Sequence, residues 1–83
     1  MFKVGKVINY YDKTGIALVE LEGTIAINDK IRFLFNHDYL FSQIVEVIQI
    51  GHEKVDFANR GSLIGLPTKE KVQVGADIFK ENY

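Results

Sequence analysis

Along most of the chain apolar residues alternate with polar ones, the period-two pattern of half-buried strands rather than the spacing of a helix face. Phe2, Val4, Ile8 and Tyr10 share one parity, with Lys3, Gly5 and Asn9 between them, which predicts a first strand. Asp12-Lys13-Thr14-Gly15 is a polar group ending in a residue that accepts positive φ, and Ile16 to Glu22 resumes the alternation. These two strands are expected to form a hairpin. Gly23 breaks the run, and Asn28-Asp29 supplies a turn before Ile31, Phe33 and Phe35 alternate with Lys30, Arg32 and Leu34 in a third strand.

Asn36-His37-Asp38 reads as a polar turn, and the stretch from Tyr39 to Ile50, without Gly or Pro, predicts one long fourth strand. Ile44, Ile48 and Ile50 fall on one parity and Phe41, Val45 and Val47 on the other. Such a strand is buried on both faces or shifts phase through a bulge, as at a barrel corner. Beyond Gly51 come a short segment around Val55 and Phe57, a turn at Asn59-Arg60-Gly61, a strand from Leu63 to Leu66 stopped by Pro67, and a last strand from Ala76 to Phe79. The pattern predicts an all-β fold without helix. Closure would remove exposed edges at this length, so the expected architecture is a small closed Greek-key β-barrel of about six to seven strands.

Eighty-three residues allow one core, and residues 1–83 are expected to form a single β-barrel domain. Hydrophobic residues make up 47% and charged residues 25%, an ordinary globular balance. The net charge of -1 is too small to draw nucleic acid or anionic lipid over long range, so any RNA site has to be a local patch. The chain has no cysteine, which removes disulfides, thiolate metal sites and cysteine nucleophiles and fits a reducing cytoplasm. The longest apolar run, Ile16 to Val19, is far too short for a membrane helix, and no membrane association is expected.

Several segments carry a family resemblance. Gly23-Thr24-Ile25-Ala26-Ile27-Asn28-Asp29-Lys30-Ile31 resembles the Gly-x-hydrophobic-x-hydrophobic-Gly-Asp segment of elongation factor Tu second domains, with Asn28 at the usual glycine. Val45-Glu46-Val47 followed by Val55, Ala58, Gly61, Gly65 and Leu66 is similar to the same domain's later pattern. Val72-x-x-Gly75-Ala76-Asp77-Ile78 is similar to its closing segment. The resemblance covers nearly the whole chain and implies a stand-alone barrel of the translation-protein domain 2 type. In elongation factor Tu that domain helps hold the aminoacyl end of tRNA with acidic and aromatic residues on its first strand and a late asparagine. Here those positions fall near Lys6, Val7 and Ile8 and at about Leu63, so that pocket's chemistry is missing. A similar barrel also ends certain collagenase-like peptidases linked to RNA modification.

The residues carry little catalytic chemistry. No Gly-rich loop ends in Lys-Ser or Lys-Thr, which excludes an autonomous GTPase. His37-Asp38 and His52-Glu53 are the only histidine-acid pairs, and both lie in or beside predicted turns, where solvated loop residues are the better reading than metal ligands. Ser42 and Ser62 lack a nucleophile elbow. No catalytic residue, metal or cofactor is expected.

Tyr11 with Lys13 at the first hairpin, and Lys54 and Arg60 on the late loops, are the candidate RNA- or partner-binding residues, because an exposed ring can stack on a base while cations meet phosphates. The plainer reading packs Tyr10 inside and Tyr11 over the rim, and leaves Lys54, Arg60, Lys69, Glu70 and Lys71 as a solvated surface. The resemblance implies a non-catalytic cytoplasmic module in translation whose partner is tRNA, rRNA or a translation-associated protein. A second reading is a protein-interaction module anchored by Tyr11, Tyr39 and Tyr83, and a third is an accessory subunit of an RNA-modifying or peptidase-like enzyme.

Overall fold

In the computed structural model, which describes residues 2–81, strand β1 (Phe2–Tyr11) turns back on β2 (Ile16–Leu21) through the expected polar turn. Gly15 sits there at φ 71°, and its amide and that of Thr14 donate to the Tyr11 carbonyl at 2.8 and 3.2 Å. The shared parity expected of Phe2, Val4, Ile8 and Tyr10 does not hold. Val4 and Val7 are buried while Phe2 and Ile8 are exposed, because the pairing of β1 shifts between Lys3 and Gly5 and again between Val7 and Asn9. Each bulge flips the following side chains to the other face. Between the bulges Gly5 lets β1 approach β2: a Cβ there would meet Val19 Cγ1 at 2.9 Å and the Glu20 carbonyl oxygen at 3.0 Å.

After β3 (Ile25–Ala26), strands β4 (Lys30–Phe35) and β5 (Asp38–Ile44) form a hairpin. Its two turn residues, Asn36 and His37, both take positive φ, at 51° and 69°, the twist-matched geometry of a type I′ turn. Phe33 and Phe41 stack across the pair with centroids 4.6 Å apart and fill the core.

The single strand expected from Tyr39 to Ile50 is two. β5 ends at Ile44 and β6 (Ile48–Ile50) begins after a break. At the break the Val45 amide donates to the Asp29 carbonyl and its carbonyl accepts from the Asn28 amide, both at 2.8 Å, and Val45 is fully buried. Pinning the β3–β4 turn takes Val45 out of line with β5. A second two-residue turn, Gly51-His52, joins β6 to β7 (Glu53–Val55), and β8 (Phe57–Ala58), β9 (Leu63–Pro67) and β10 (Asp77–Lys80) complete the chain.

All pairings are antiparallel: an eight-stranded sheet in the order β5-β4-β10-β1-β2-β9-β6-β7, with β3 and β8 forming a separate pair. The fold is all-β, with no helix among the described residues. The expected closed Greek-key barrel of six to seven strands is corrected: the described residues form ten strands, and the eight-stranded ladder stays open, ending at β5 on one side and β7 on the other. The curled sheet still wraps one core, from Val4 and Val19 through Ile31, Phe33 and Ile64 to Ile78. Among the described residues no helix is long and apolar enough to cross a membrane.

Candidate functional site

The open side of the sheet carries a cleft of about 590 Å³ between the end of β5 and the segment that follows β9. Ser42, Gln43 and Ile44 form one bank and Pro67, Thr68 and Lys69 the other. The second bank is held from behind: the Thr68 amide donates to the Gly15 carbonyl at 2.9 Å, and the Thr68 hydroxyl donates to the Glu70 carbonyl at 2.7 Å. Among the described residues one side chain ties it to β5 by hydrogen bonds. The Gln43 carboxamide donates to the Pro67 carbonyl and accepts from the Lys69 amide, each at 2.9 Å, so it presents to that bank the donor and acceptor of a peptide group. Sequence reasoning missed Gln43, because a lone glutamine in a strand carries no motif.

The same two segments continue into a second cleft of about 480 Å³ between Tyr39, Leu40 and Phe41 and the stretch Glu70, Lys71 and Gln73. Tyr39 is 59% exposed, and its hydroxyl shares a hydrogen bond with that of Ser42 at 3.1 Å. Lys30 lines the first cleft and is ion-paired to Glu81, and Lys71 pairs with Asp12. Lys69 has no ion-pair partner among the described residues.

The four residues singled out as a binding patch do not form one. Tyr11 and Lys13 lie, exposed, at the turn end of the first hairpin, where Ile16 of β2 faces Pro67 of β9. Arg60 lies at the opposite end of the same strands, in the turn whose Gly61 amide bonds to the Leu21 carbonyl. Lys54 is on β7, opposite Gln49. Tyr11 instead borders a shallow apolar hollow of about 280 Å³ with Ile16, Leu18 and Leu63, while Tyr10 packs half-buried against the core. Of the three aromatic anchors, Tyr11 and Tyr39 are exposed on different parts of the sheet and Tyr83 lies outside the described residues.

His37 and His52 sit in separate hairpin turns, and among the described residues no three His, Cys, Asp or Glu side chains gather as a metal-holding group. Two ion-pair groups fasten the sheet, and of their residues Lys30 also lines the first cleft. Lys3 reaches Asp77 at 3.1 Å and Glu22 at 3.3 Å, and the hydrogen bond that it donates to Asp77 raises its pKa. Arg32 Nε meets Glu81 at 2.6 Å, and that hydrogen bond, with Lys30 beside it, holds the Glu81 carboxyl below its ordinary range.

No family model matches the chain. Over 77 residues it is 27% identical to an uncharacterized protease of Methanocaldococcus jannaschii, a match covering 93% of this chain and 19% of that protein. Over 78 residues it is 33% identical to a collagenase of Porphyromonas gingivalis, covering 93% of this chain and 22% of the relative. The chain therefore spans about a fifth of the length of these curated relatives. Among solved structures it resembles the C-terminal domain of a protein described as a U32 peptidase from Geobacillus thermoleovorans, with a TM-score of 0.89 at 24% identity over 98% of this chain and 93% of that one. The selenomethionine variant of that domain gives 0.86 at 21% identity, over 94% of this chain and 98% of that one. At such identity the likeness establishes the fold.

These findings correct the elongation-factor resemblance and, with it, the translation reading: the relatives and structural neighbours are peptidase and collagenase proteins. The misleading motifs answer to backbone geometry. Asn28 stands at φ 78° and Gly75 at φ 96°, turn requirements that any small antiparallel fold imposes.

Proposed function

We propose that the chain acts as a non-catalytic accessory domain of a peptidase-like enzyme, of the kind its relatives are named for. The observation that carries this reading is the mismatch in coverage: nearly the whole chain aligns with about a fifth of each relative, and its structural neighbour is a C-terminal domain. The chemistry agrees. The Ser42 hydroxyl partners a tyrosine, and both histidines stand in hairpin turns, so the elements of hydrolysis belong to another part of the system.

A domain swap tests the proposal. Deleting the matching segment from the Porphyromonas gingivalis relative should impair its collagen hydrolysis or its stability, and inserting this chain in its place should restore what was lost. The isolated chain should leave collagen intact. Hydrolysis by the isolated chain, or a chimera no better than the deletion, would reject the accessory role.

A further inference from the structure

We infer that the cleft beside β5 is a receptor for an extended polypeptide segment, which inserts between β5 and residues 67–69 and pairs by strand addition. The first observation is an unused backbone edge. In an antiparallel pair, alternate residues direct their amide and carbonyl away from the partner strand. β5 is the terminal strand of the sheet, and among the described residues no backbone group from Tyr39 to Ile44 bonds to anything except β4. The second is the width of the gap. Directly paired strands lie about 4.8 Å apart, and here a whole glutamine side chain stands between β5 and the Pro67 carbonyl.

The third observation is chemical and identifies the occupant. The Gln43 carboxamide fills the gap as a peptide group would, giving one hydrogen bond to the far bank and taking another. An incoming main chain offers those same groups and replaces the carboxamide on the Pro67 carbonyl and Lys69 amide. Its alternate side chains meet exposed apolar surface at Ile44 and, past the bulge at Leu40, at Tyr39. Lys69, which has no ion-pair partner among the described residues, favours an acidic residue where the segment passes it, while Glu46, which lines the same cleft, disfavours one beside itself. Strand addition of this kind draws affinity from main-chain bonds and specificity from alternate pockets. The inference goes beyond the accessory role and holds whether or not the chain serves a peptidase.

The test uses isotope-labelled chain and a panel of synthetic peptides of about ten residues that alternate valine or threonine with glutamate, within ordinary strand length. At least one should produce saturable amide shifts confined to β5 and residues 67–71. N-methylation of its alternate amides should weaken binding about tenfold or more, since several hydrogen bonds are lost together. Gln43→Ala, which removes the competing carboxamide, should tighten binding about threefold to tenfold. Three results would each overturn the inference: no saturable shift up to about 1 mM peptide, shifts indifferent to N-methylation, or β5 shifts that follow protein concentration without peptide, which would assign the edge to a second copy of the chain.

Discussion

The two ends of the sheet are built from the same device and finished differently. Each is a hairpin closed by a two-residue turn, β4–β5 through Asn36-His37 and β6–β7 through Gly51-His52. β7 has three residues, two of them charged, so shortness and charge both blunt its edge. β5 has seven, with no lysine or proline and a single charge at its first position, and its one protection is the bulge at Leu40. A fold that can blunt an edge at β7 leaves β5 able to pair, and the contrast assigns the partner-seeking role to β5.

The strongest way to break the contrast is to loosen β5 from the core. Phe41 is its one buried side chain and stacks on Phe33, whereas the best anchor of β7, Val55, is only half-buried. Phe41→Ala should lower stability by about 3 to 5 kcal/mol in urea unfolding, and Val55→Ala by clearly less. Equal losses would mean that the two ends are held alike.

The turns come next. Gly51 takes φ 62°, so Gly51→Ala should cost about 1 to 2 kcal/mol. In the other hairpin His37 already bears that strain at φ 69°, and His37→Gly should stabilise by about 0.5 to 1 kcal/mol once the added freedom of the unfolded chain is subtracted. Opposite signs in the same melting experiment would sharpen the picture of one relaxed and one strained turn; a neutral His37→Gly would remove it.

The contrast also marks what the sequence could tell. Alternation placed β2, β4 and β9 well, and Gly15, Gly61 and Gly75 take positive φ where strand runs stop, while Gly23 does not. The phase of β1 was not legible, because its bulges follow from which residues β2 and β10 offer across the pair. Nor was the break at Val45, which exists to bond with Asn28 and Asp29, residues far off along the chain. The separation of the candidate binding residues was hidden for a similar reason. Tyr11 and Lys13 were placed at the first hairpin and Arg60 on a late loop, and only the register of β2 on β9 shows them at opposite ends. The β5 cleft was invisible, since an edge is a property of topology.

The smallest expected effect concerns what ties each end down. β4, which carries β5, is fastened to the end of β10 through Arg32 and Lys30 on Glu81, whose backbone amide also donates to the Lys30 carbonyl at 3.0 Å. Among the described residues no ion pair involves β6 or β7. Because the Arg32 hydrogen bond lowers the Glu81 pKa from 4.5, the folded state binds its proton less readily than the unfolded chain does. The contribution is therefore fully present above about pH 4.5 and is lost as pH falls through the lower folded value. Arg32 and Lys30 are both partly exposed, so solvent screening keeps the effect small. In Glu81→Gln the acid-side loss of stability should be shallower than in the parent. Hydrogen exchange should locate the difference in β4, β5 and β10, leaving β6 and β7 unchanged. An acid response that is uniform across both ends, or unaltered by Glu81→Gln, would show that this pair does not distinguish them.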